Sequence, residues 1–386
     1  MLLAERTARI QPFQVMQILA RAKTLAEQGR SVIGLYVGEP DFGTPQAIVE
    51  AGQAALANGH TGYTPATGLP ELRRAIAERY RRWHGVDLDP ARILVTPGGS
   101  SALLLAFAAS IDSGREVLLP EPGYPCNRNF LEVIGAQPVS VPLSNKGLRL
   151  SLLALEAART GQSQGLLLAS PCNPTGQVLT LEEWQQAADF AQRHGLALFA
   201  DEIYHGLTFT DALPPSALNV TDDVWVTQSF SKFYGMTGWR LGWAVVPPDA
   251  IDAAERLAQN LYLSAPSMAQ HAALAAFEPE VEAECFARRD ELRARRDYLA
   301  PQLEALGLPL LARPDGAFYL YADMSAYGDD ALDWCDRLLE ETGVAITPGI
   351  DFGGATQDRA VRIAYTAEVK VLKEAVARLA AFTGRR

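Results

Sequence analysis

The sequence predicts an α/β fold. A large domain with a mostly parallel sheet flanked by helices is joined to a smaller α+β domain, which the C-terminal part forms with the N-terminal segment. Three observations predict it. Between about residues 91 and 245, short runs that are apolar throughout recur, as strands covered on both faces require. Each run ends in a loop rich in Gly, Pro or polar residues, and several are followed by helical stretches. After about residue 275 the texture changes to long, charge-rich helical sequence with two further strand-like runs. The expected division is residues 1–40 as the N-terminal segment associated with the small domain, 41–275 as the large domain and 276–386 as the small domain.

Taken in order, residues 14–29 read as a helix ending at Gly29. Pro70 opens a second helix, with Leu72, Ala75, Ile76, Tyr80 and Trp83 at helical spacing, and Gly85 closes it. Five strand runs come next, at 93–95, 117–119, 166–168, 196–199 and 224–226. Residues 278–306 read as a helix, 317–322 and 361–365 as strands, and 368–382 as a closing helix.

Composition excludes several classes of function. Lys and Arg total 34 against 45 Asp and Glu, a formal net charge of -11, which disfavours nucleic acid and anionic membrane as partners. The four cysteines lie far apart with no C-x-x-C pair, so neither a zinc site nor a disulfide framework is indicated. Glu5 and Arg6 stand where a signal peptide needs an apolar run, and the charge-free stretch near 102–111 is too short to span a bilayer. A cytoplasmic protein is expected. Only five of the 34 basic residues are lysines: Lys23, Lys146, Lys232, Lys370 and Lys373.

Ligands of such sheets bind at the carboxyl ends of the strands, so the residues just after each run carry the functional signal. The first run leads to Thr96-Pro97-Gly98-Gly99-Ser100-Ser101 at a helix start, where glycines and free N–H groups suit an anion. A simple turn is the ordinary alternative, and the P-loop lysine is missing. The second leads to Tyr124, able to stack on a flat ligand or simply to pack in its loop. The third leads to Asn173 between two prolines, a rigid donor or a turn residue. The fourth leads to Asp201-Glu202-Ile203-Tyr204-His205. A carboxylate there is costly without a cationic or donor partner. No second cluster of ligands accompanies it, which argues against a metal.

The fifth run leads to Ser229-Phe230-Ser231-Lys232, with Arg240 downstream. The other four lysines fall in predicted helices or a polar turn and read as surface residues. Lys232 alone lies at a strand end. Desolvation and a nearby cation lower a lysine pKa from about 10.4 and make the amine nucleophilic. A phosphate cradle, an aromatic plate, an Asn and a Tyr, a buried carboxylate and one amine are together what pyridoxal phosphate uses. Lys232 would hold its aldehyde as a Schiff base, and Asp201 would keep the pyridine nitrogen protonated.

These segments resemble the class I/II aminotransferases, the fold-type-I pyridoxal-phosphate enzymes, nearly end to end. The most specific block is SFSKFYGMTGWRLGW (229–243), supported by VGEPDFGTP (37–45), GYTPATGLPELR (62–73), SPCNPTG (170–176), ADEIY (200–204) and VRIAYT (361–366). The resemblance implies a homodimer with shared active sites that moves an amino group from an amino acid to a 2-oxo acid by ping-pong kinetics. Lys232 would also be the general base. Asn173 and Tyr204 would bond the ring hydroxyl, and Tyr124 would stack on the ring. Gly99, Ser100, Ser101, Ser229, Ser231 and Arg240 would surround the phosphate, with Tyr63 reaching the neighbouring subunit's phosphate. Arg362 would clamp the substrate carboxylate, with Gly38 beside it; a surface strand arginine is the ordinary alternative. The bonds before Pro122 and Pro174 would be cis.

Departures from the family pattern predict a neutral aliphatic or aromatic side chain on the donor. Where one aspartate-specific branch has an arginine the best match is Asn260, and where another has a lysine this chain has Ser100. A C–S lyase on the same fold is the alternative, since its cofactor residues would be unchanged. A DNA-binding regulator is disfavoured by the acidic balance and by the roughly 30 residues before GEPDF, too few for a helix-turn-helix domain.

Overall fold

The computed structural model describes residues 2–10, 12–144, 146–210 and 212–384. Seven strands build the central sheet: β1 (Ile93–Thr96), β2 (Glu116–Glu121), β3 (Gln137–Pro142), β4 (Ser163–Ala169), β5 (Ala197–Asp201), β6 (Trp225–Ser229) and β7 (Gly242–Val245). Their order across the sheet is β1-β7-β6-β5-β4-β2-β3. From β6 to β3 every pairing is parallel, whereas β7 lies antiparallel between β1 and β6.

The continuous apolar runs have the cause expected of them. In β4, Leu166 and Leu168 enter one core with Trp184 and Phe190, while Leu167 enters the other with Phe107 and Phe199. Side chains alternate across a strand, so a run apolar at every position fills both layers of helices. Two strands of the central sheet were not expected from the sequence. The edge strand β3 keeps only Val141 fully buried and carries two prolines, which an edge tolerates. Buried β7 lies within the segment read for its chemistry.

The helix Pro70–His84 closes at Gly85, whose φ of +66° is the left-handed conformation that stops a helix without steric cost. A second, antiparallel sheet joins β8 (Tyr319–Asp323), β9 (Thr347–Pro348) and β10 (Ala360–Ala364) in the order β9-β10-β8. Helices Pro279–Ala305, Ala331–Thr342 and Val369–Thr383 accompany it. The start of the chain joins this part: Ile33–Gly34 pairs in parallel with Val344–Ala345. Ile18, Ala22 and Leu25 of helix Gln14–Glu27 pack on Leu339 and Ala345. The Glu121–Pro122 and Asn173–Pro174 bonds are cis, as the resemblance implies, and Ser170–Pro171 is cis as well. Among the described residues no helix is long and apolar enough to cross a membrane.

Candidate active site

A cavity of about 350 Å³ opens where the chain leaves the carboxyl ends of β4, β5 and β6. Parallel pairing puts those ends on one edge, so residues far apart in sequence meet there. Gly38, Gly99, Ser100, Tyr124, Asn173, Asp201, Tyr204, Ser229, Ser231, Lys232, Arg240 and Arg362 all line it. Two residues singled out in the sequence do not. The Ser101 hydroxyl turns back to the Pro97 carbonyl at 3.2 Å, and Tyr63 stands on the surface, 86% exposed.

At the floor, Asp201 ends β5 and is buried. Among the described residues its carboxylate accepts only from the Ile203 N–H at 3.3 Å and the Thr227 hydroxyl at 3.5 Å, both long. Burial pushes its pKa up to about 6. The adjacent Glu202 turns elsewhere, taking the Ser216 hydroxyl at 3.0 Å and the Ala217 N–H at 2.8 Å. Lys232 keeps part of its surface free, but that surface faces the cavity, and its amine donates to the Gly38 carbonyl at 2.6 Å. Enclosure lowers its pKa to about 8; Glu39 opposes the shift, while Arg362 and Arg240 add to it.

At the other end lies a cradle for an anion. Helix Gly99–Ser110 points its N-terminus into the cavity, beside Ser229 and Ser231 from the end of β6. The backbone is closely packed here. A Cβ on Gly98 would meet the Arg240 guanidinium at 2.6 Å, and Gly98 has φ +88°. Arg240 itself has φ +52°, a conformation that a non-glycine residue adopts at a cost. Ser100 and Arg240 remain exposed, so this end is open to the surface.

Arg362 forms the third part. It lies on β10, where every residue is buried, so the surface-strand alternative fails. Its guanidinium donates to the Tyr36 carbonyl at 2.7 Å, Asn173 Oδ1 at 3.0 Å and the Thr347 hydroxyl at 3.3 Å. It sits over the rings of Tyr319 and Phe352, 4.4 and 4.8 Å from their centroids. Its buried Nε–H has no partner among the described residues. Because Asn173 Oδ1 accepts from Arg362, the amide nitrogen of Asn173 is the end free to face the cavity. The Tyr204 and Tyr319 hydroxyls are 2.9 Å apart.

Several lining residues were missed. Thr227 lies two positions before Ser229 on β6 and so shares its face, a signal the alternation contains. Tyr319 is a diagonal neighbour of Arg362, because Arg362 pairs with Tyr321. Asn127 follows Tyr124 by one helical step. Phe13, Val15, Met16 and Asp351 carry no local signal and arrive through the joining of the chain's two ends. The site as a whole can hold an anion at one end and a cationic N–H at Asp201, with an amine between them and a carboxylate on Arg362.

Comparison with known proteins agrees with this chemistry. The sequence matches the family model for aminotransferase class I and II over residues 30–379. It is 38% identical to a valine–pyruvate aminotransferase of Mycobacterium tuberculosis, covering 96% of each chain. It is 36% identical to a (5-formylfuran-3-yl)methyl phosphate transaminase of Methanocaldococcus jannaschii, covering 100% of each. A crystal structure of an aminotransferase from Mycobacterium tuberculosis superposes with a TM-score of 0.96 at 38% identity, covering 100% of this chain and 99% of that one.

Proposed function

The chain belongs to the class I and II aminotransferases, and from that premise we propose that it moves the amino group of a neutral L-amino acid to a 2-oxo acid, with pyridoxal 5'-phosphate as cofactor. One observation carries the cofactor: the enclosed Asp201 carboxylate, with two long neutral hydrogen bonds among the described residues, lies in the same cavity as the lone enclosed lysine and an anion cradle. A buried carboxylate needs a cation, and a protonated ring nitrogen supplies one. Tyr124 would then cover the ring face, and the Asn173 amide and Tyr204 hydroxyl would meet the ring hydroxyl. The helix start at Gly99 and Ser100, with Ser229, Ser231 and Arg240, would hold the phosphate.

When bound, pyridoxal phosphate supplies a sink for the electron pair left as the substrate loses its α-proton. Arg362 fixes the substrate carboxylate, its guanidinium already oriented by Tyr36, Thr347 and Asn173. Lys232 Nζ, its pKa lowered to about 8 by enclosure, takes the α-proton and later returns it. Asp201 stays ionised above about pH 6 and holds the ring N–H. The exposed phosphate end and the exposed Tyr63 support a homodimer in which Tyr63 of a second copy closes the cradle.

The absence of a cation at Ser100, and exposed Asn260 bonding back to its own helix at the Arg256 carbonyl, support neutral over acidic donors. The C–S lyase alternative is not favoured, because the relatives named above are transaminases. The test is a screen of single half-reactions with the cofactor-loaded protein, monitored by the cofactor's absorbance. Alanine, valine and phenylalanine should convert the cofactor to its amine form faster than aspartate, and Lys232→Ala should abolish turnover. Faster conversion by aspartate overturns the substrate class; retained turnover in Lys232→Ala overturns the mechanism.

A further inference from the structure

Helix Gln14–Glu27 begins at Phe13, and no side chain of its own segment caps it. The first N–H groups of a helix lack partners within it and need acceptors. Here they are taken by a residue more than 330 positions away. The Gln14 N–H donates to Asp351 Oδ1 at 2.8 Å, and the Val15 N–H donates to Asp351 Oδ2 at 2.9 Å. One carboxylate thus grips two successive amides, an arrangement that the partial positive charge of a helix start favours.

Three side chains beside this grip, Phe13, Val15 and Met16, line the cavity that holds Lys232 and Arg362. The base of the grip is itself held in place. Phe352, next in sequence, lies against the Arg362 guanidinium, and its carbonyl accepts the Gly123 N–H at 2.9 Å beside Tyr124. Asp351 therefore ties the segment from Phe13 to Met16 to the carboxylate clamp by two hydrogen bonds, beside the packing of Val15 on the cluster of Ile18, Ala22 and Leu25. The rest of the helix docks separately, through Ile18, Ala22 and Leu25 on Leu339 and Ala345.

The geometry points to Asp351 as a positioning residue that seats Phe13–Met16 as the apolar wall of the substrate side-chain pocket and thereby sets the preference for large neutral donors. This rests on the cavity being the amino-acid site. A substrate with its carboxylate on Arg362 presents its side chain beside that wall. Large apolar side chains gain from a wall held in place, whereas the methyl group of alanine reaches little of it. Because the helix body is anchored elsewhere, losing the grip loosens the wall without undocking the helix.

Asp351→Ala and Asp351→Asn in the cofactor-loaded enzyme test this with two measurements. Hydrogen exchange over residues 12–19 should rise about tenfold in Asp351→Ala, and by less in Asp351→Asn, which keeps one acceptor oxygen. The ratio of KM for phenylalanine to KM for alanine should rise about tenfold in Asp351→Ala, with Asp351→Asn between it and the parent. Unchanged exchange, or KM values for both donors rising by the same factor, overturns the proposal. If the parent enzyme converts no amino acid, the transaminase reading fails instead, and exchange alone decides whether Asp351 seats the segment.

Discussion

Asp201 and Lys232 are both held against what water would give them. Asp201 has its pKa raised from 3.8 to about 6 by burial. Below pH 3.8 both folded and unfolded chains carry its proton, so it costs nothing. Between 3.8 and about 6 the unfolded chain releases the proton first, and above about 6 the cost to folding is complete. At 1.36 kcal/mol per unit this is on the order of 2–3 kcal/mol. Asp201→Asn should therefore make the cofactor-free protein more stable at pH 7.5 and leave it little changed at pH 4, as thermal unfolding at the two pH values will read. Tyr124, Asn173, Asp201 and Lys232 were legible because each follows a strand run that the sequence marks by composition, whereas Gly38 and Arg362 were named only through the family resemblance. Arg362 shows the limit of local pattern: its burial depends on the other sheet's loops, which no local pattern encodes.

At the level of elements, β7 packs closely against the start of the anion cradle. A Cβ on Gly242 would lie 2.6 Å from the Gln228 carbonyl and 2.7 Å from backbone atoms of Gly98 and Gly99. Those are the residues that begin the cradle helix, so the sheet and the helix start meet through a missing side chain. Gly242→Ala should destabilise the protein by about 1–3 kcal/mol, the usual range for overpacking, measured by denaturant unfolding. It should also weaken retention of the cofactor, measured by equilibrium dialysis. Strands with continuous apolar runs announced themselves; β3 did not, because an edge strand half in solvent lacks both the run and the clean alternation. The strap Phe13–Met16 was invisible for a different reason: its place is set by Asp351 and by the pairing of Ile33–Gly34 with Val344–Ala345, contacts that bridge nearly the whole chain.

For the whole molecule, Tyr63, Leu261 and Leu263 are exposed, and the proposed homodimer would cover them and close the open cradle. Light scattering should give about twice the 41.8 kDa of the chain. Tyr63→Ala should leave that mass unchanged while loosening cofactor binding, since one aromatic contact is lost from a larger surface. A monomer with full cofactor retention would contradict the shared site. The scarcity of lysine has an analytical consequence. A protease that cuts after lysine separates residues 147–232 from 233–370, and the bond between them depends on Lys232 alone. An aldehyde fixed to that amine by borohydride would block the cut and leave one fragment, 147–370, so the enclosed amine turns occupancy of the site into a fragment mass.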